Sequence, residues 1–220
     1  MPKQERAEIT RRSIIRGAAE VFDRYGYAAA TLSDVIGHGG VTKGALYFHF
    51  KSKEEVARAV VEEQHRLSSG PTRAWLTQEG TGGLEAVIRA TQLLAVQLTS
   101  DVVVRAGIRL TLEHGTFGAL QADPYIEWVA LVKELMQRAI DEGDVRSPVG
   151  AEELARFICG SFTGIQMLSE VLTGRQDLRR RVEEMWTIVF PSLVPARKVQ
   201  HFRRIAAAFP DEPNEDVAVS

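Results

Sequence analysis

The sequence predicts an all-α protein, and three observations support that fold class. Apolar residues recur at helical spacing along most of the 220 residues, and no segment alternates convincingly as a half-buried strand would. Glycine and proline residues interrupt the chain at intervals that suit separate helices. Hydroxyl-and-acid patterns that can cap a helix precede several of the apolar segments. We expect a small N-terminal group of helices followed by a larger helical domain.

The first predicted helix covers residues 5–25. Ile14, Ala18 and Phe22 fall on one face of it, and Gly26 follows as its stop. A helix with a single apolar face must pack against neighbouring elements to bury it. We therefore expect this helix to brace the two short helices that come next.

Residues 31–54, TLSDVIGHGGVTKGALYFHFKSKE, predict two short helices separated by a glycine-rich reversal. Thr31 can cap the first helix, and Asp34 three residues later completes a capping-box pattern. The reversal is expected over residues 37–40, because three of these are glycines and glycine tolerates the left-handed backbone that a sharp turn requires. We place the first short helix between Thr31 and this turn.

The second short helix is predicted at residues 43–48, after Thr42 as its cap. We expect its packing face to consist of Ala45, Leu46 and Phe48. A further capping pattern, Ser52-Lys53-Glu54-Glu55, marks the start of the next helix. Two short helices around a turn, packed on a longer one, predict a helix-turn-helix.

A helix-turn-helix can read DNA because the N-terminal residues of its second helix reach base edges in the major groove. The free N–H groups and the dipole of that helix also attract phosphate. Lys43 can reach a guanine edge or a phosphate, Gly44 leaves room for the backbone to approach, and Tyr47 offers a donor to the sugar-phosphate chain. Short helix-turn-helix patterns also occur as plain packing elements, so the bare geometry leaves that alternative open.

The string GVTKGALYFHFKSKEE closely resembles the DNA-binding signature of the TetR family of bacterial repressors, and LYFHF with the lysines after it is among its most specific parts. The resemblance covers residues 8–57 by motif and the rest by helix number and length. It implies contacts to DNA, in the groove or to phosphate, by Thr31, Ser33, Thr42, Lys43, Gly44, Tyr47, His49 and Lys53. One departure is Gly39, where the family often has alanine before the turn glycine; a helix glycine costs about 1 kcal/mol against alanine.

The resemblance also implies a TetR-like domain organisation. A three-helix helix-turn-helix domain would occupy residues 1–52, and a larger helical domain for ligand binding and dimerisation would occupy residues 53–209. The larger domain is expected to begin with a connecting helix at residues 53–69, ending before Gly70-Pro71. Further helices are predicted near residues 83–99, 101–113, 124–142, 151–173, 177–190 and 196–209. Residues 210–220 are rich in acids and have little to bury, so we expect a disordered tail.

Charge is divided unevenly along the chain. The net charge is −2, but residues 1–58 hold ten Lys and Arg against seven Asp and Glu, so the remainder carries −5. A weakly positive N-terminal part favours DNA at that end. The N-terminus lacks the apolar run of a signal peptide, no stretch reaches the roughly 20 apolar residues of a membrane span, and the single cysteine excludes an internal disulfide. We expect a cytoplasmic protein without membrane contact, with Cys159 in its core.

Within the TetR family, the chain resembles the γ-butyrolactone-type autoregulator receptors of filamentous antibiotic-producing bacteria. The resemblance rests on KQxRA near the start, on VVVRAGIRL at residues 102–110, on Glu127-Trp128 and on FTGIQ at residues 162–166. It implies that a small diffusible γ-butyrolactone, butenolide or furan binds the larger domain and releases the protein from double-stranded operator DNA. Genes of antibiotic and other secondary-metabolite formation would then be expressed.

The same resemblance implies three ligand contacts. Trp128 would form an aromatic wall, Thr163 would hold the polar head of the ligand, and Gln64 on the connecting helix would link occupancy to the DNA-binding part. Such residues suit a largely apolar ligand, since small-molecule sites combine apolar walls with a few fixed polar groups. Trp128 can also be ordinary core packing, and Thr163 can bond to a carbonyl of its own helix.

A homodimer is expected, because a two-fold operator needs two reading helices about 34 Å apart or a multiple of that distance. The helix at residues 151–173 has apolar residues on most of its sides, so part of its surface must face a partner. We expect the dimer interface on residues 151–173 and 177–209. One dimer per operator and two dimers per operator are both compatible with the sequence.

Enzymatic activity is disfavoured by the sequence. It has no G-x-S-x-G elbow, no G-x-x-x-x-G-K-[ST] phosphate loop and no H-E-x-x-H pair, and its histidines do not pair at metal-ligand spacing. We therefore expect neither catalysis nor a cofactor or metal. A pseudo-receptor or multidrug-responsive regulator of the same fold, binding antibiotics or other hydrophobic compounds, is the alternative function.

Overall fold

The computed structural model describes residues 3–77, 80–113 and 123–210. Over these ranges the chain is helical apart from turns and short connections, and no strand is present, so the all-α prediction is confirmed. Its helices are α1 (Lys3–Ala29), α2 (Leu32–Gly39), α3 (Lys43–His49), α4 (Lys53–Thr77), α5 (Gly83–Ser100), α6 (Val102–Leu112), α7 (Asp123–Asp141), α8 (Ala151–Thr173), α9 (Leu178–Leu193) and α10 (Val199–Ala207). The predicted disordered tail lies outside the described residues from residue 211 onward.

The chain divides into two compact units. The first, which we call the head unit, combines the residues up to Leu67 with those from Asp101 to Asp123. The second, the body unit, combines Ser68–Ser100 with the residues from Pro124 onward. Helix α6 therefore groups with the helix-turn-helix, and α4 contributes residues to both units.

The core of the head unit forms around the apolar face of α1. Ala18 and Phe22 have no exposed surface, and they pack with buried residues of α2, α3, α4 and α6. Two glycines allow α1 to approach α2. A Cβ at Gly17 would lie 2.4 Å from the backbone nitrogen of Gly39, and a Cβ at Gly39 would lie 3.2 Å from the carbonyl oxygen of Ser13. The glycine that departs from the family pattern thus serves a contact between two helices.

The helix-turn-helix has the predicted caps but a later turn than predicted. Helix α2 continues through Gly39, and only Gly40 adopts the left-handed conformation, with φ 58°. The prediction that the turn spans residues 37–40 is therefore wrong at its start. The reason is that Gly40 alone closes the helix end, since its N–H donates to the carbonyl of Ile36 and no earlier left-handed residue is needed.

Helix α4 continues past the predicted end of the connecting helix. The prediction that it stops before Gly70-Pro71 is wrong, because the helix runs to Thr77 with the proline inside it. Proline removes one helical hydrogen bond, but other contacts within the body unit stabilise the helix beyond it. The Arg138 guanidinium of α7 donates to the carbonyl oxygens of Trp75 (3.0 Å) and Leu76 (3.3 Å), which caps the last turn.

The last predicted helices also differ from the observed ones. Helix α9 extends beyond its predicted end at residue 190, with Pro191 in its last turn. Phe190 and Leu193 on either side of this proline are buried, so packing outweighs the lost hydrogen bond. The helix predicted at residues 196–209 is a short 3-10 turn, Ala196–Lys198, followed by α10.

The body unit is built around α5, most of which is buried. Helix α5 packs against α9 and α10, and α8 packs against α9. Trp186 of α9 is fully buried, stacks on Phe190 at 5.8 Å between ring centroids, and donates its indole N–H to the Thr91 hydroxyl of α5 at 2.9 Å. These contacts join α5 and α9 in one core.

Helices α8 and α9 expose several large apolar side chains, which we call the apolar face. It consists of Phe157, Met167, Leu168, Val171, Leu172 and Ile188. Val171 is 81% exposed and Ile188 is 76% exposed, although both are fully apolar. Where such exposed apolar side chains form a contiguous patch, they mark protein contact surfaces. The two predicted interface helices therefore present a surface of the kind that a dimer buries.

Within the described ranges, no single helix combines the length and the hydropathy needed to cross a membrane. Only the broken pair of α5 and α6 meets that test together, and it does so by length and composition alone.

Candidate functional site

The N-terminal end of α3 is exposed where the sequence predicted groove contacts. Residues 42–44 are exposed, and Tyr47 one turn later is 48% exposed. Leu46 and Phe50 are buried, so they anchor the opposite face of this segment in the head core. The helix therefore turns its predicted contact residues outward while its apolar side holds it in place.

Phe48 is also exposed, and the prediction that it packs in the core is wrong. Its side chain is 78% exposed and meets the half-buried His49 ring edge-on, with 5.1 Å between centroids. The reason is helical geometry, because Phe48 is about 200° around the helix from the buried Leu46. An exposed phenylalanine beside a groove-reading helix end can contact thymine methyl groups. We name as the recognition surface Thr42, Lys43, Gly44, Tyr47 and Phe48.

Both short helices begin with the predicted caps. The Thr31 hydroxyl accepts a hydrogen bond from the Asp34 N–H (3.2 Å), and the Asp34 carboxylate accepts from the Thr31 N–H (3.0 Å) and hydroxyl (2.6 Å). These hydrogen bonds hold the pKa of the Asp34 carboxyl below its ordinary value. The Thr42 hydroxyl accepts from the Ala45 N–H at 3.1 Å. Thr31 and Ser33 are both exposed at the N-terminus of α2, where backbone N–H groups attract phosphate.

Lys53 makes its contacts within the head unit. Its ammonium donates to the carbonyl oxygens of Tyr27 (2.8 Å) and Ala30 (2.9 Å), and it lies 4.3 Å from the centroid of the Tyr27 ring. Burial, together with the Glu54 carboxylate, raises the pKa of the Tyr27 phenol. Lys53 therefore ties the connection between α1 and α2 to the start of α4. A phosphate contact by this ammonium would have to be made beside, or instead of, these carbonyl contacts.

A second group of polar and aromatic side chains joins α7 to α8 in the body unit. The half-buried Trp128 ring meets the Phe162 ring edge-on at 5.7 Å and lies 6.5 Å from the Tyr125 ring, measured between centroids. The Tyr125 phenol is hydrogen-bonded to the Thr163 hydroxyl. We call these four residues the aromatic cluster. The structure thus brings the predicted contacts Trp128 and Thr163 together.

Sequence reasoning named neither Phe162 nor Tyr125 as a ligand contact, and of these two Tyr125 carries a polar group. Burial raises the pKa of its phenol, and the hydrogen bond with Thr163 opposes part of that rise. The phenol is therefore neutral at physiological pH and presents an O–H beside aromatic rings. Its spacing was a usable signal, because Tyr125 precedes Trp128 by three residues and so lies on a neighbouring part of the same helix surface. Cys159 is buried as predicted, and burial raises the pKa of its thiol to about 12.

Gln64, the third predicted ligand contact, belongs to the head unit. It is buried on α4 and packs against Gly107 of α6, where a Cβ would lie 2.4 Å from the Cβ of Gln64. Trp128 and Thr163 belong to the body unit. The structure therefore groups two of the three predicted ligand contacts and assigns the third to the unit that carries the recognition surface.

Comparison with protein families matches both parts of the chain. Residues 14–60 match the family described as bacterial regulatory proteins, tetR family. Residues 81–195 match the tetracyclin repressor-like C-terminal domain. The first range contains the recognition surface, and the second contains the aromatic cluster.

Individual proteins are similar to nearly the whole chain. The A-factor receptor protein of Streptomyces griseus is 37% identical over 203 residues, which cover 92% of this chain and 70% of that protein. The solved structure of the TetR family protein CprB from S. coelicolor A3(2) is 35% identical with a TM-score of 0.82, covering 94% of this chain and all of that chain. CprB in complex with its biological operator sequence is 36% identical with a TM-score of 0.77, covering 92% and 96%. A gamma-butyrolactone receptor described as ArpA-like is 35% identical with a TM-score of 0.79, covering 92% and 96%.

Proposed function

The chain belongs to the TetR family of bacterial transcriptional regulators, and on that premise we propose that it is a ligand-released repressor. It binds double-stranded operator DNA as a homodimer and leaves the operator when a small signal of γ-butyrolactone, butenolide or furan type binds. It acts in the cytoplasm on genes of antibiotic or other secondary-metabolite formation. The observation that carries this proposal is the exposed recognition surface on α3, in a chain similar over nearly its full length to an A-factor receptor protein.

The recognition surface supplies the contacts in the major groove. Lys43 donates to a guanine edge or a phosphate, and Gly44 lets the backbone approach. Tyr47 donates to the sugar-phosphate chain or packs on a base, and Phe48 packs on thymine methyl groups. Thr42 caps the helix and places its methyl group at the groove. Sequence preference then comes from a few side chains on a helix of seven residues.

The predicted phosphate contacts lie before and after the recognition surface in the sequence. Thr31 and Ser33 offer hydroxyls at the N-terminus of α2, and His49 offers a ring nitrogen at the end of α3. Lys53 contributes chiefly by holding the connection between α1 and α2, which supports the motif from behind.

The apolar face forms the dimer interface in this proposal. Its side chains lie on α8 and α9, and their exposure in a single chain leaves apolar area that association would remove from water. A dimer is also what a two-fold operator requires, because each half-site needs its own reading helix.

The aromatic cluster binds the ligand in this proposal. The rings of Trp128 and Phe162 provide apolar walls, while the paired hydroxyls of Tyr125 and Thr163 provide the few fixed polar groups that orient a small molecule. Gln64 stays a proposed ligand contact on the resemblance alone; it is buried on α4 in the head unit.

DNA binding is tested with Lys43→Ala. The operator is first selected by the wild-type protein from a random duplex library, and binding of the labelled duplex is then followed by fluorescence anisotropy over a range of salt concentrations. We expect the variant to bind about 5- to 150-fold more weakly per half-site and to reduce the salt dependence of log K by about two charges per dimer, one for each Lys43. Lys133→Ala removes a half-exposed lysine of α7 and serves as the matched control, with unchanged affinity. Equal behaviour of both variants would reject the recognition surface.

Ligand binding is tested with Tyr125→Phe and a synthetic γ-butyrolactone as the probe. Loss of one hydrogen bond is expected to weaken lactone binding about two- to tenfold, while operator affinity stays unchanged. Tyr25→Phe, which removes an exposed phenol of α1, is the control. If the wild-type protein binds its operator but the lactone does not release it, the pseudo-receptor or multidrug-responsive function replaces the lactone receptor. If both tyrosine variants respond alike, the aromatic cluster is not the ligand site.

A further inference from the structure

Helix α1 contains one residue outside the helical conformation. Gly26 has φ 74° and ψ 170°, so the helix is broken there before its last residues. In an uninterrupted helix the N–H of Tyr27 would bond to the carbonyl of Asp23. The break separates these two groups, and each then needs a different partner, because backbone groups in a folded core are almost always paired.

Helix α6 and its C-cap residue, Glu113, supply the two partners. The Arg109 guanidinium donates to the Asp23 carbonyl oxygen at 2.5 Å, and the Glu113 carboxylate accepts from the Tyr27 N–H at 3.0 Å. The two side chains are also joined to each other, since Arg109 Nε donates to Glu113 Oε1 at 2.8 Å. One ion pair at the C-terminal end of α6 therefore replaces the hydrogen bond that the broken turn has lost. We call this ion pair the α6 clamp.

The α6 clamp fits this position closely. A Cβ at residue 26 would lie 2.8 Å from a terminal nitrogen of Arg109 and 2.9 Å from a carboxylate oxygen of Glu113. Glycine is thus required at this position for its positive φ, and a Cβ there would also push aside the ends of the two clamp side chains. A second arginine on the same helix, Arg105, pairs with the Asp23 carboxylate at 3.0 Å and reinforces the attachment.

The broken turn leads directly into the helix-turn-helix. Four residues after Gly26 comes Ala30, whose carbonyl is held by Lys53, and Thr31 then caps α2. The direction in which the chain leaves α1 is therefore set at Gly26, by side chains from α6 and from α4 that are not part of the DNA-reading motif.

We propose that Arg109 and Glu113 are positioning residues for DNA reading, through which α6 sets the orientation of α2 and α3 relative to α1. This assigns a role to the VVVRAGIRL segment, because both of its arginines, Arg105 and Arg109, bond to Asp23 near the end of α1. The inference rests on the proposed function only in that α3 reads DNA.

The test compares Arg109→Met and Glu113→Ala with Glu113→Gln, whose amide oxygen still accepts from the Tyr27 N–H. Arg89→Met is the matched control, since it breaks an i,i+4 Arg–Glu pair on α5. The first readout is spacing preference, the ratio of Kd for duplexes with one base pair added between the selected half-sites to Kd for the selected duplex. The second is hydrogen exchange of the backbone amides at residues 24–31.

We expect Arg109→Met and Glu113→Ala to reduce the spacing preference about tenfold and to speed exchange at residues 24–31. Arg89→Met should retain both properties, and Glu113→Gln should fall between the wild-type protein and Glu113→Ala, because its amide keeps one acceptor for the Tyr27 N–H and loses the oxygen that accepts from Arg109. A merely structural clamp would weaken binding equally for every spacing, and that result, or unchanged exchange, would overturn the inference. If Arg109→Met fails to fold, the comparison of Glu113→Ala with Glu113→Gln tests the positioning role of the clamp. If the wild-type protein selects no duplex, the proposed function fails, whereas the exchange measurement still tests the clamp.

Discussion

Gly17→Ala is expected to destabilise the head unit and to abolish most operator binding. The new Cβ would lie 2.4 Å from the nitrogen and 2.5 Å from the Cα of Gly39, and these are backbone atoms that cannot rotate away. Helices α1 and α2 must then separate, and overpacking of this kind costs typically about 1–3 kcal/mol, occasionally more. Because α2 carries the turn that leads to the recognition surface, we expect the loss of DNA affinity to exceed that of Lys43→Ala.

The matched control for this change is Gly37→Ala. Gly37 lies on α2 in the same unit, and a Cβ there would meet nothing within 4 Å. Replacing a helix glycine by alanine should then stabilise by about 0.5–1 kcal/mol. Urea unfolding followed by far-ultraviolet circular dichroism measures both changes. Gly17→Ala with wild-type stability and operator affinity would show that α1 and α2 do not need this close approach.

Trp186→Ala is expected to lower the free energy of unfolding by about 3–5 kcal/mol, the largest loss of any substitution proposed for this chain. The indole is fully buried, stacks on Phe190 and donates its N–H to Thr91. Truncation would remove the contribution of the indole to the contact between α5 and α9 and leave a cavity in the body unit. The buried Thr91 oxygen would also lose its indole donor.

Trp186→Phe separates the contribution of the filled volume from that of the hydrogen bond to Thr91. This variant retains most of the apolar area and removes the hydrogen bond to Thr91. We therefore expect its free energy of unfolding to fall by about 1–2 kcal/mol. Urea titration of both variants by circular dichroism gives the two free energies. Equal losses would mean that the hydrogen bond, and not the filled volume, accounts for the effect.

The predictions from sequence succeeded where local chemistry decides the structure. The caps at Thr31 and Thr42 could be found because a capping hydroxyl acts on N–H groups only two or three residues away. The recognition helix could be found for the same reason, since its start, its length and its basic residue are adjacent in the chain.

The predictions failed where a residue that is distant in the sequence determines the local structure. Helix α4 continues past Pro71 to an end that is capped by Arg138, more than 60 residues later. The broken turn at Gly26 depends in the same way on Arg109 and Glu113, and nothing in the local sequence points to them. The aromatic cluster was found only in part, since the hydrogen bond between Tyr125 and Thr163 depends on how α7 packs on α8.

The two faces of α3 have separate tasks, and this separation affects how the operator specificity of such regulators changes in evolution. Leu46 and the following Phe50 hold the segment in the core, whereas Lys43, Tyr47 and Phe48 make little contribution to that packing. Exposed substitutions usually change stability by no more than about 0.5 kcal/mol. After gene duplication, a copy can therefore exchange its outward residues and acquire a new operator while its fold stays intact, so target choice evolves with little constraint from folding.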